Sequence, residues 1–208
     1  MSASTTKPKP NPYAHAPRLP EAEPLSLAEL VRPGYPVELE IGPGRGGFLF
    51  ERLAAVPELC MLGFEIRRKW ATIVDDRLKA RGLGERARVF YEDARVALPR
   101  LPAGSLSRIY IHFPDPWWKK RHEKRLVVNP QLLPDVVRAL GPGGELFVQT
   151  DVEERADEYQ AAIDGAPGLC PAPGGPRLLE NPFLARSPRE HRAIADGLPI
   201  HRLLYRKA

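Results

Sequence analysis

Apolar runs alternating with amphipathic stretches constrain this chain more than any other feature. "PVELEIG" (36–42), "CMLGFEI" (60–66), "ARVFYED" (87–93), "SRIYIHF" (107–113) and "GELFVQTD" (144–151) are short and nearly continuously apolar. That is the pattern of strands buried on both faces, as in a parallel sheet. Between them lie "GGFLFERLAAV", "RRKWATIVDDRLKARG", a short "ARVALPRL" and "NPQLLPDVVRALGPGG". In the second, Trp70, Ile73, Val74 and Leu78 share one helical face, and Gly82 closes the helix. The fourth ends on Gly-Pro-Gly-Gly, a stop signal. Successive β–α units predict an α/β fold with an open, doubly wound, mostly parallel sheet. "VEERADEYQAAI" adds a helix, "IHRLLYR" (200–206) a last strand, expected to be antiparallel, and the Pro/Gly-rich residues 164–188 read as loop.

A length of 208 residues suits one domain with a substantial core, assigned here to residues 25–208. Residues 1–24, rich in Pro, Ser and Thr and without an apolar face, read as a mobile tail to which Lys7 and Lys9 add positive charge. The net charge of +5 suits an anionic partner without naming it. Cys60 and Cys170 stand far apart with no C-x-x-C spacing, which indicates neither a zinc site nor a disulfide framework. No apolar stretch approaches the ~18 residues of a membrane span, and the polar N-terminus lacks a signal peptide's apolar segment. The expectation is a soluble, cytoplasmic protein.

The first strand runs into Gly42-Pro43-Gly44-Arg45-Gly46-Gly47, a loop that turns tightly and lets a ligand approach the backbone. A strand before it and a helix after it suit a nucleotide-type ligand. Glu65 ends the second strand about 20 residues on, where an acid can accept from ribose hydroxyls. Asp93 ends the third, placed to accept from an adenine amino group; each acid could instead cap the helix that follows. Glu40 lies within a strand that should be buried, so it needs a partner. A dinucleotide brings a pyrophosphate to such a loop and has no use for this acid. S-adenosylmethionine brings an ammonium and a sulfonium, which Glu40 favours.

The fourth strand opens into "FPDPWWKKRHEKR" (113–125). Pro114 and Pro116 restrict the backbone around Asp115. Trp117 and Trp118 can flank a base or pack against the sheet end. Lys119, Lys120, Arg121, Lys124 and Arg125 read as a phosphate-tracking loop, with His122 among them. His112, within the strand, reads as a satisfied core or edge histidine.

Taken together, "LEIGPGRG", "GFEI", "EDA", "IYIHFPDPWWKKRHEKR", "LGPGGELFVQTD" and "SPREHR" resemble the bacterial tRNA (guanine-N7)-methyltransferase family over residues 36 to about 206. The resemblance implies a class I methyltransferase (Rossmann-like) fold, S-adenosyl-L-methionine as donor, and N7 of the variable-loop guanine of tRNA (conventional position 46) as acceptor. Matched residue by residue, it implies that Glu40, Glu65, Asp93 and Asp115 hold the cofactor, beside Gly42 and Gly44 of the loop. Lys119 and Asp151 match substrate-contacting positions, and Ser187-Pro188-Arg189-Glu190 corresponds to the family's late T-x-x-E motif. Ser187 replaces threonine there, Pro43 a usually bulkier loop residue, and Trp118 a usual proline.

Guanine N7 carries a free lone pair at neutral pH, so the transfer needs no general base and rests on positioning. A carboxylate accepting from N1–H and the N2 amino group would hold the base with its N7/O6 edge open. Asp115, the candidate catalytic residue, and Asp151 qualify; Glu190 could assist. The base is expected to leave its stacked position. Methylation of another acceptor, an inactive RNA-binding module of the same fold, and a dinucleotide oxidoreductase are the alternatives that the residues leave open.

Overall fold

The structure is a computed structural model and describes residues 11–21, 23, 25–115 and 126–208. Strands β1 (Val37–Ile41), β2 (Cys60–Phe64), β3 (Ala87–Phe90), β4 (Leu106–His112) and β5 (Leu140–Thr150) form a parallel array. Three further strands are β6 (Leu169–Pro171), β7 (Arg177–Leu178) and β8 (His201–Lys207). The sheet runs β3-β2-β1-β4-β5-β8-β6, with β7 also on β8, and β8 is antiparallel to β5. β1 lies between β2 and β4, so the chain leaves the middle of the sheet in opposite directions. Ligands of such sheets bind outside the carboxyl ends of strands at that reversal.

Helices α2 (Gly47–Ala55) and α3 (Arg68–Ala80) pack on one face through Phe48, Leu49, Leu53, Val74 and Leu78. The opposite face meets α5 (Leu133–Ala139) and α6 (Glu153–Asp164) through Val136, Ala139, Tyr159 and Ile163. These side chains are buried, and each fully buried Leu or Phe stabilises the fold by roughly 1.5–3 kcal/mol. Short helices α1 (Leu27–Leu30) and α4 (Ala94–Ala97) flank the sheet, and α7 (Pro188–Ala195) lies beside α2. Contact there is tight, since a Cβ on Gly47 would come within 2.3 Å of Pro188 Cγ.

The strand and helix expectations hold, with three differences. β6 and β7 fall inside the stretch read as loop, because their pairing with β8 is long-range. The Gly-Pro-Gly-Gly stretch ends α5, but it belongs to β5, which starts at Leu140 and shifts register against β4. Residues 17–19, part of the stretch read as tail, lie against the turn after β3. Tyr91 N–H donates to Pro17 O at 2.7 Å, Leu19 N–H donates to Glu92, and the Leu19 side chain is buried.

Candidate active site

Two adjoining cavities open at the carboxyl ends of β1, β2, β4 and β5. One, of about 560 Å³, is lined by residues including Glu40, Gly42, Arg45, His112, Asp151 and Arg189. The other, of about 180 Å³, is lined by Glu65, Asp93, Asp115 and the apolar Phe64, Ile66 and Leu126 among others. Gly42, Arg67, His112, Phe113 and Pro114 border both. A hollow of about 630 Å³ at the amino ends of the strands, lined by Tyr35, Val37 and Leu106, lies away from the glycine loop.

Gly42, Gly44 and Gly46 have φ of +74°, +55° and +77°, a region that side chains with a Cβ rarely adopt, and this curls the loop over the sheet end. A Cβ on Gly42 would meet nothing within 4 Å, so the backbone there faces open space. Gly44 N–H donates to Glu65 Oε2 at 2.9 Å, while Arg67 N–H and Nε donate to Oε1. Glu65 therefore pins the loop from the end of β2. Asp93 caps α4, accepting from Arg95 N–H at 3.0 Å and pairing with the Arg95 side chain. Those Arg95 contacts hold its carboxyl below the usual range. The capping geometry weighed for Asp93 is thus present, at the rim of the smaller cavity.

Glu38 and Glu40 project to the same face of β1 and differ sharply. Arg52, Arg108 and Tyr110 donate to Glu38 at 2.8–2.9 Å; burial would raise its pKa, but the two arginines bring it below the ordinary value. Glu40 is 2% exposed, and its Oε2 has no hydrogen-bond partner among the described residues. Burial, with the Glu65 charge nearby, pushes its pKa up to about 8. An uncompensated buried carboxyl is costly and occurs where a site holds it in place.

His112 sits among Phe48, Tyr110 and Phe147, with ring centroids 4.2–5.9 Å away. Its Nδ1 lies 2.8 Å from Gln149 Oε1, and burial lowers its pKa to about 4, so the ring is neutral near pH 7. Only half of the satisfied-histidine reading holds, because Nε2 has no partner among the described residues. Phe113 has φ +46°, an outlier for a bulky residue, and this turns Pro114 and Asp115 across the sheet end. Asp115 is exposed at the smaller cavity. Asp151 pairs with Arg189, whose Nε lies 3.0 Å from Oδ2.

Glu190 requires a correction. Ser187 Oγ accepts from Glu190 N–H at 3.1 Å and caps α7. Glu190 is fully buried: Oε1 accepts from Arg202 Nη2 at 3.0 Å, and Oε2 from Asn181 Nδ2 at 2.8 Å. With both oxygens occupied inside the protein, Glu190 holds α7 to β8 and does not border the cavity, whereas Ser187 and Arg189 do. Lys119, Lys120, Arg121, Lys124 and Arg125 lie outside the described residues, as do Trp117, Trp118 and His122. Arg45, Phe113 and Arg189 were not expected at the site. Arg189, inside the late motif, and Arg45, inside the glycine loop, carried a positional signal; Phe113 carried none.

Residues 35–203 match the family model described as "Putative methyltransferase". The tRNA (guanine-N(7)-)-methyltransferase of Myxococcus xanthus (strain DK1622) is 38% identical over 168 residues, spanning 80% of this chain and 81% of that protein. The protein of the same name from Microcystis aeruginosa (strain NIES-843 / IAM M-2473) is 35% identical over 199 residues, 94% of either chain. Among solved structures, the aminoglycoside resistance methyltransferase NpmB1 is similar in fold, with a TM-score of 0.56 at 19% identity over 88% of this chain and 92% of that one. Identity of this extent over nearly whole chains, on a class I methyltransferase fold, gives the family: the chain belongs to the tRNA (guanine-N(7)-)-methyltransferases.

Proposed function

We propose that this protein transfers a methyl group from S-adenosylmethionine to N7 of a guanine in tRNA, at conventional position 46 of the variable loop. The observation that carries the reading is Glu40, a buried carboxyl with an unpartnered oxygen beneath the glycine loop. A cationic ligand fits such a group and a pyrophosphate does not. When bound, the cofactor supplies an electrophilic methyl group on a sulfonium.

The chain's own residues bind and orient. Glu40 would face the ligand's ammonium, and ionises readily once a cation lies beside it. Glu65, already fixing Gly44, keeps lone pairs for the ribose hydroxyls, and Asp93 stands at the far rim of the same cavity. Asp115 and Asp151 are the acceptors proposed for the N1–H and N2 amino edge of guanine, which leaves N7 open. A carboxylate at that edge also opposes the positive charge growing on the ring. No base is needed, in keeping with His112, whose imidazole is neutral and buried. The basic loop 119–125 is the proposed contact for tRNA phosphates. No helix among the described residues is long and apolar enough to cross a membrane, and we place the protein in the cytoplasm with its substrate.

Incubating the protein with unmodified tRNA and methyl-labelled S-adenosylmethionine, then digesting to nucleosides, tests this. Label in 7-methylguanosine, lost when guanine 46 is replaced by adenine, is expected. Label in any other nucleoside, or none, overturns the reading.

A further inference from the structure

Resting on that reading, we propose that the flank formed by Arg45 and the exposed side of α3 is a second docking track for the tRNA backbone. Arg45, Lys69, Arg77 and Arg81 are all exposed, and none pairs with a carboxylate among the described residues. They lie over aromatic rings instead. Arg45 Cζ is 4.9 Å from the Trp70 ring centroid and Lys69 Nζ 5.3 Å, while Arg77 and Arg81 both place Cζ 4.6 Å from the Phe50 centroid. A cation held over a ring rather than against a carboxylate keeps donors for an anion such as a phosphate. Two guanidinium groups on one ring, with no acid between them, also repel each other, and an incoming anion relieves that repulsion.

Position ties this surface to the site. Arg45 borders the larger cavity, and its carbonyl accepts from Arg77 Nη1 at 3.2 Å. From there the track follows α3, whose 13 residues extend about 20 Å. The acids nearby are engaged: Asp75 is buried against Arg88 and Lys79, exposed Asp76 meets His15, and Glu51 meets His191. A guanine delivered to the cavity brings flanking backbone far larger than the cavity itself. A cationic strip leading from its rim fits that backbone, and phosphate contacts are what fix register on a nucleic acid.

The test is a K69A/R77A/R81A variant, with tRNA binding followed by fluorescence anisotropy over a range of salt concentrations. The log–log salt slope should fall by roughly 2–3 units, at ~0.7–0.9 per phosphate contact, and KM for tRNA should rise. S-adenosylhomocysteine affinity and kcat at saturating tRNA should hold. R77K/R81K keeps the charges and should keep the slope; if it loses the slope as the triple variant does, phosphate attraction is not the cause and the proposal fails. An unchanged slope in the triple variant also overturns it, as does polyglutamate binding to this face as tightly as tRNA, which would assign the face to acidic proteins. Absence of labelled tRNA with the wild-type protein defeats the functional reading itself; labelled tRNA with an unaltered slope defeats only the track.

Discussion

Replacing Glu40 by glutamine should stabilise the ligand-free protein while weakening its hold on the cofactor. Burial, and secondarily the Glu65 charge, raise the Glu40 pKa from an ordinary 4.5 to about 8. Between those two values the unfolded chain has released the proton and the folded protein still binds it. Stability of the wild type therefore falls as pH rises through that window and levels off above it. At ~1.4 kcal/mol per unit, the loss reaches about 3 kcal/mol at pH 7 and approaches about 5 kcal/mol above pH 8. Glutamine has nearly the same shape and does not ionise, so Glu40→Gln escapes this loss. Thermal unfolding should show the variant and the wild type close together near pH 5. By pH 7 the variant should be higher by roughly 6–12 °C for a chain of this size. Calorimetry should show S-adenosylmethionine bound at least ~10-fold more weakly by the variant, the scale of one lost charge-assisted contact. Binding to the wild type near pH 7 should also release close to one proton, read from its dependence on buffer ionisation enthalpy. A stability difference that does not grow with pH would refute the buried-acid argument, and undiminished cofactor affinity would remove Glu40 from the site.

Three further substitutions probe the remaining acids. Asp115→Asn should keep the fold and most tRNA affinity yet slow single-turnover methyl transfer by at least ~10²-fold; near-normal rates would leave Asp115 as a loop-shaping residue. Glu65→Ala removes the acceptor for Gly44 N–H and should weaken cofactor binding by about 1.5–3 kcal/mol, with calorimetry on the folded variant as the check. Glu190→Ala strips Arg202 of its buried partner and should cost about 3–5 kcal/mol in urea unfolding. Unaltered stability with a raised KM for tRNA would return Glu190 to the substrate.

The sheet and the glycine loop were legible because their signals are local. An apolar run such as "CMLGFEI" marks β2 without knowledge of its neighbours, and the loop glycines announce the turn they make. Glu40 was legible too, since an acid in a strand that must be buried demands a reason. What escaped the sequence depends on distant partners. Glu190 turns inward because Arg202 on β8 and Asn181 on the preceding loop meet it, and no spacing within "SPREHR" reveals either. β6 and β7 exist only because β8 offers an edge. Phe113 precedes a proline, which disfavours helical backbone and favours extended conformations. Its left-handed turn is imposed from outside, where Phe113 N–H donates to Gln149 O at 2.8 Å. Residues 17–19 looked like tail because one buried leucine, Leu19, has no periodicity to display.

Glu38 and Glu40 show how the proposed site would select its ligand. They stand two residues apart on one face of one strand, and both are buried. Around Glu38 the fold has gathered Arg52, Arg108 and Tyr110, so that acid serves the architecture. Around Glu40 no cation is gathered among the described residues, and the nearby Glu65 charge has the wrong sign. Nothing in β-sheet packing forces this, since an arginine from a neighbouring strand reaches Glu38 with ease. The unpartnered acid lies beside the glycine loop, where Gly42 exposes bare backbone. A ligand that brings positive charge there converts an unfavourable buried acid into a paired one, and the gain is largest for that class of ligand alone. A pyrophosphate in the same place would bring no cation to Glu40 and would meet the Glu65 charge beside it. A doubly wound sheet accommodates either kind of nucleotide; in the proposed reading the unpartnered carboxyl of Glu40 would discriminate between them, at a stability cost that glutamine would remove.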